Sequence, residues 1–186
     1  MTENLIREIK RVDIRIDPAE LERCFRQRLL SKNEVLLDFH SVCRHYYFVD
    51  SGALRVFFLE DGEEYTAWFA FENYFFTELE SYTNGTASRY RIVATEDTKL
   101  LQIPKTDMEF LLSRYDWWKE FLLYTQQQII LKLTGVVRSF QTQSAEERYD
   151  ALFTHPDYIQ RTKQKDLSSL MGITRYSLSR LRKKRR

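Results

Sequence analysis

Two arginines near the end of the chain, Arg175 and Arg180, stand one and a half turns apart if their stretch is helical, with Tyr176 beside the first. A guanidinium can donate two parallel hydrogen bonds to O6 and N7 of guanine, so arginines projecting from one helix face can read base edges in a DNA major groove. Their surroundings, "DLSSLMGITRYSLSRLRKKRR", hold leucines, one glycine and dense positive charge. The region 161–186 carries a net +9, against −7 for the remaining residues, although the whole chain is only +2. A basic end on a mildly acidic body points to a polyanionic partner for that end.

Other chemistry is poorly represented. Cys24 and Cys43 are the only cysteines and form no C-x-x-C pair. "HSVCRH" sets His40, Cys43 and His45 close together but offers no fourth ligand nearby, so no metal is expected. No nucleophile–base arrangement and no phosphate-cradling glycine loop stands out, and an enzyme is not expected. The apolar fraction of 43% suffices for a core, yet no stretch approaches the ~20 apolar residues of a membrane span. The charged start lacks a signal-peptide core. A soluble, cytoplasmic protein without membrane contact is the expectation.

The reading head needs a frame. Lys165 to Leu170 reads as a helix with Leu167, Leu170 and Met171 on one face. Gly172 supplies a turn, Ile173 points inward and Thr174 is an N-cap for a second helix from Arg175, with Leu178 and Leu181 inward. Two short helices on a glycine turn predict a helix-turn-helix. Its outward residues are Arg175, Tyr176, Ser179, Arg180 and Lys183; Lys163 and Lys165 open the first helix. With Thr174 these are the candidate DNA contacts, and "RKKRR" reads as a phosphate-binding extension.

Upstream, "DPAELERCFRQRLL" predicts a helix capped by Asp17, with Leu21, Cys24, Phe25 and Leu29 sharing a face. From about Glu34 to Ile103 short β-rich runs alternate with turns. Asp61-Gly62 is a strong hairpin signal, and Asn84-Gly85 marks a second turn. Helical spacing returns at "KTDMEFLLSRY". In the run from Asp116, the residues Leu122, Gln126, Ile129, Leu133, Val136 and Phe140 step by four and three, a heptad seam with one polar position. That seam predicts pairing with a second copy; packing on the chain's own β domain is the alternative. Ser144 and Glu147 form a capping box that starts another helix, and Pro156 interrupts its far end.

In this order the elements resemble the Crp/Fnr superfamily of bacterial transcription regulators. "VDSGALRVFFLEDGEEYTAWFAF" is similar to the family's roll, and "LSSLMGITRYSLSRLRK" to its DNA-reading motif. The resemblance implies an α+β fold: an N-terminal antiparallel β-roll of jelly-roll type with flanking helices (1–115), a long dimerisation helix (116–143), and a helix-turn-helix domain (144–186). It implies that Arg175, Tyr176 and Arg180 read DNA. Tyr176 departs from the acidic residue common there. The chain ends soon after the second helix, leaving no room for a β-hairpin wing.

The resemblance also implies an effector held by the roll, with cyclic nucleotide as the family's best-known ligand. Here Glu78 and Leu79 match the phosphate-binding cassette, but Thr77 replaces its glycine. Ser88 stands at the arginine position, with Arg89 one residue later. Glu78, Leu79, Ser88, Arg89 and Gln126 are the candidate effector contacts, and no cofactor is assigned. The leading expectation is a homodimeric regulator on a palindromic double-stranded operator, with an unknown small-molecule effector. The competing one is a small-molecule or protein-interaction sensor whose basic end binds nucleic acid without specificity.

Overall fold

The computed structural model describes residues 3–12 and 16–184. The chain divides into two compact units. One contains Met1–Val56 with Phe69–Gln128; the other contains Phe57–Trp68 with Ile129–Arg186. The last two arginines of the basic extension, Arg185 and Arg186, lie outside the described residues. Among the described residues no helix is long and apolar enough to cross a membrane.

The first unit is built on antiparallel strands with flanking helices. α1 (Glu3–Lys10) buries Leu5 and Ile9, one turn apart, and Asn4 donates to the Asp50 carboxylate at 2.9 Å. α2 (Pro18–Cys24) starts as its sequence dictates. Asp17 accepts from the Ala19 amide, and Pro18 occupies the first turn, where a missing N–H costs nothing.

The helix stops at Cys24, which corrects the expectation for "FRQRLL". Arg26–Leu30 is a strand, β1, paired with β8 (Thr98–Pro104) from Arg26↔Gln102 to Leu30↔Thr98. Leu29, expected on an inward helix face, is 67% exposed. The segment lacks β-branched residues, so only its partner's ladder makes it a strand.

Between them lie β2 (Val35–Leu37), β3 (His45–Ser51), β4 (Leu54–Glu60), β5 (Glu63–Ala70), β6 (Phe75–Phe76) and β7 (Arg91–Ala94). They form two four-stranded sheets, ordered β1-β8-β3-β6 and β2-β7-β4-β5. At the β4–β5 turn Asp61 and Gly62 have φ of 50° and 78°. Two successive left-handed residues are what a tight hairpin matching the strand twist demands. Asn84-Gly85 turns out differently: Gly85 is the left-handed cap of a short helix, α3 (Leu79–Asn84), its amide donating to the Ser81 carbonyl.

α4 (Lys105–Arg114) precedes α5 (Asp116–Thr142), the long helix. Its first turns bury Trp117, Trp118 and Phe121. Trp118 meets Phe25, Phe75 and Phe121 at 5.9, 5.8 and 5.3 Å between ring centres, and its indole N–H points at the Met108 sulfur. Beyond Phe121 no α5 residue is buried, and Ile130, Leu133, Val136 and Phe140 stand exposed.

In the second unit α6 (Ala145–Ala151) opens with the full capping box between Ser144 and Glu147. A 3-10 turn (Leu152–Thr154) and α7 (Pro156–Gln160) follow, the break falling at Pro156. α8 (Gln164–Leu170) and α9 (Arg175–Lys184) complete the chain. Their core is Tyr149, Leu167, Met171 and Leu178, flanked by Leu152, Tyr158, Ile159, Leu170, Ile173 and Leu181.

Two glycines give opposite expectations. Gly52 has φ +92°, and a Cβ there would lie 2.5 Å from Thr98 Oγ1 and 2.6 Å from the Asp97 carbonyl. Gly52→Ala is expected to cost ~2 kcal/mol or more. Gly135 lies inside α5 with open space around its Cβ position, so Gly135→Ala is expected to stabilise by up to ~1 kcal/mol. Urea unfolding of both variants checks the pair.

Candidate nucleic-acid interface and roll interior

The helix-turn-helix geometry follows from four local devices. Gly172 takes φ +65° and closes the turn, its amide donating to the Ser169 carbonyl. The Ile173 amide donates to the Ser168 carbonyl at 3.0 Å. Thr174 caps α9, its hydroxyl accepting from the Ser177 amide at 3.1 Å. Leu178, fully buried, anchors α9 to α8 through the small core.

With Leu178 inward, the opposite face of α9 is presented outward. Arg175, Tyr176, Arg180 and Lys183 are exposed and Ser179 is half-buried. Tyr176 is 73% exposed, and the Arg180 guanidinium lies 5.9 Å over its ring, one turn along the helix. The stacking holds two candidate reading residues together. Lys163, at the position before α8, and Lys165, within its first turn, are also exposed. The Gln164 amide donates to the Arg175 carbonyl, joining the starts of the two helices. Within "RKKRR" the charges are not equivalent. Lys184 is paired with Glu146 at 2.7 Å, Arg182 is half-buried and Lys183 is exposed.

The roll places the effector candidates in different settings. Glu78 is buried, and its carboxylate accepts from the Ser81 amide, capping α3. Leu79 and Arg89 are exposed. Ser88 is buried, and its hydroxyl accepts from the Tyr90 amide and donates to the Tyr90 carbonyl. Gln126, on the first half of α5, stands beside the Tyr46 hydroxyl of β3.

A buried polar group that sequence reasoning missed surrounds this region. The Thr77 hydroxyl donates to the His45 carbonyl at 2.8 Å and lies 3.3 Å from Cys43 Sγ. The Cys43 amide donates to the Ser81 hydroxyl, which donates on to the Thr86 carbonyl. The Thr77 that breaks the family's glycine pattern is therefore a structural hydroxyl. Burial pushes the phenols of Tyr46, Tyr47 and Tyr82 upward, so all three remain protonated donors. Burial, then the charges of Arg28 and Arg44, push His45 down and favour its neutral form. Among the described residues no group of three His, Cys, Asp or Glu is arranged to hold a metal.

Residues 27–115 match the family model described as "Cyclic nucleotide-binding domain". None of the curated proteins matches the sequence. Several solved structures share the fold. A mutant of CooA from Carboxydothermus hydrogenoformans is 16% identical, with a TM-score of 0.72, covering 99% of this chain and 84% of that one. FixK2 from Bradyrhizobium japonicum is 16% identical, with a TM-score of 0.73 and coverages of 86% and 83%. A transcriptional regulator assigned to the crp/fnr family, from Eubacterium rectale, is 16% identical, with a TM-score of 0.69 and coverages of 89% and 82%. The match over 27–115 and the shared architecture converge: residues 27–115 resemble a cyclic nucleotide-binding domain, and the chain has the fold seen in CooA, FixK2 and the crp/fnr-family regulator.

Proposed function

We propose that the protein is a homodimeric, sequence-specific DNA-binding transcription regulator. In this reading residues 1–115 form the sensor, 116–143 pair two copies, and 144–186 read DNA. One observation carries it: α9 buries Leu178 and turns Arg175, Tyr176 and Arg180 outward from a capped helix-turn-helix. In that geometry the N-terminal residues of the second helix meet base edges, while Lys163, Lys165 and Ser179 suit phosphates. Arg175 and Arg180 would select guanine, and Tyr176 would replace the cytosine contact that an acidic residue makes.

The apolar steps Ile129, Leu133, Val136 and Phe140 support pairing of two α5 helices, the last three being exposed on the single chain. Two copies related by a twofold axis would bind half-sites about one helical turn apart. The roll's interior supports an effector other than a cyclic nucleotide. Glu78 commits its carboxylate to Ser81, and Ser88 offers no charge to a phosphate.

Selection of bound duplexes from a random pool tests the DNA reading. A twofold-symmetric consensus is expected, with Arg175→Ala and Arg180→Ala each weakening it by ~1–3 kcal/mol and relaxing one position. Binding without a consensus, fading steeply with salt, would leave only a basic anchor. The pairing is checked by sedimentation: Leu133→Asp, at a position 58% exposed on the single chain, is expected to yield folded monomers that lose the symmetric site.

A further inference from the structure

The β4–β5 hairpin does more than turn the chain. Three consecutive residues of it engage the helix-turn-helix within the second unit. The Thr66 amide donates to the Ser169 hydroxyl at 2.9 Å, and that hydroxyl donates back to the Glu64 carbonyl at 3.4 Å. Glu64 also brings its carboxylate within 3.7 Å of Lys165 Nζ. Between them, Tyr65 lines a hollow with Ser169, Gly172, Ile173, Thr174 and Ser177, the turn and the start of α9. Phe58, 5.6 Å away and nearly parallel, stacks on the Tyr65 ring and sets its direction.

The chemistry of this hairpin matches the ligand that the helix-turn-helix would take. Its tip reads "EDGEE", four carboxylates in five residues. DNA phosphates and these carboxylates are alike in charge, and Lys165 cannot satisfy both. Thr174 and Lys165 belong to the proposed DNA surface; the hairpin pairs with Lys165 and shares the hollow that Thr174 lines. Arg175, Tyr176 and Arg180 stay exposed, so the hairpin covers the phosphate-facing edge rather than the base-reading face.

We propose that the β4–β5 hairpin is an autoinhibitory latch, a proposal that rests on the DNA-binding reading above. Tyr65 faces the turn and the start of α9 across the hollow, the Ser169 hydroxyl holds the hairpin backbone, and Glu64 stands in for a phosphate at Lys165. The hairpin must leave before α8 can settle on the DNA backbone. The Glu64–Lys165 pair is long and partly exposed to solvent and is therefore weak, which suits a contact that must open. The strands of the hairpin run on into the first unit, so a change within the roll has a covalent route to the latch.

The test uses the full-length protein and a duplex carrying its selected consensus, or a mixed-sequence 30-base-pair duplex if none emerges. Tyr65→Ala removes the ring that faces the helix-turn-helix across the hollow without changing charge, and is expected to tighten DNA binding about five- to tenfold. Ser169→Ala is expected to act in the same direction. Amide exchange at Thr66 is expected to speed up when DNA is added to the wild-type chain. In a salt titration the wild type and Tyr65→Ala should share a slope, because both expose Lys165 once bound. Wild-type binding that Tyr65→Ala leaves unchanged or weakens overturns the latch alone. A wild-type chain that binds no duplex at all overturns the DNA reading and the latch with it.

Discussion

Burial of the Trp118 indole fixes the root of α5, and much of the first unit depends on it. Its ring is packed by Phe25 from the end of α2, Phe75 from β6 and Phe121 one turn along α5. Truncating so large a buried ring costs ~3–5 kcal/mol, comparable to much of a domain's net stability. The knot therefore joins the end of α2, the roll and the long helix at one point. It also sets where burial stops. After Phe121 the helix keeps an apolar stripe in which Leu133, Val136 and Phe140 stay exposed, and a stripe in that position needs another surface.

The helices of the second unit rest on a different balance. Their core is four residues deep, so local devices supply a larger share of the order there. The Ser144–Glu147 box, Thr174 over Ser177 and the left-handed Gly172 each satisfy backbone groups that a small core cannot shield. Outward display of α9 is then a by-product of stability. Leu178 inward leaves Arg175, Tyr176 and Arg180 outward, because helical periodicity permits no other arrangement.

Features governed by neighbours in sequence were legible. Asp61-Gly62, the Ser144 box, the Thr174 cap and the long helix α5 each depend on residues within a turn or two, and each stands where its residues indicate. What escaped reading depends on distant partners. Arg26–Leu30 is a strand only because β8 lies beside it, and β6 is two phenylalanines long. α3 hid behind a turn signal because Gly85 caps a helix as readily as it turns a hairpin. At the candidate effector site the residue types were visible but their commitments were not. Nothing in "FFTELESYTNGTASRY" announces that Glu78 serves the Ser81 amide or that Thr77 serves the His45 carbonyl. The hairpin's engagement of Ser169 spans more than a hundred residues and leaves no local trace.

The pairing of β1 with β8 sets a schedule for the nascent chain. During synthesis the first strand emerges some seventy residues before the partner that its ladder requires. Loop closure of that length slows formation relative to the local helices α6 to α9. Throughout that interval β1 is an orphan edge, the kind of segment that recruits strands from other chains. Its own residues guard it: Arg26, Gln27 and Arg28 keep the waiting segment charged and hydrated until β8 arrives. Those arginines, peripheral in the finished molecule, serve the ribosome-bound one.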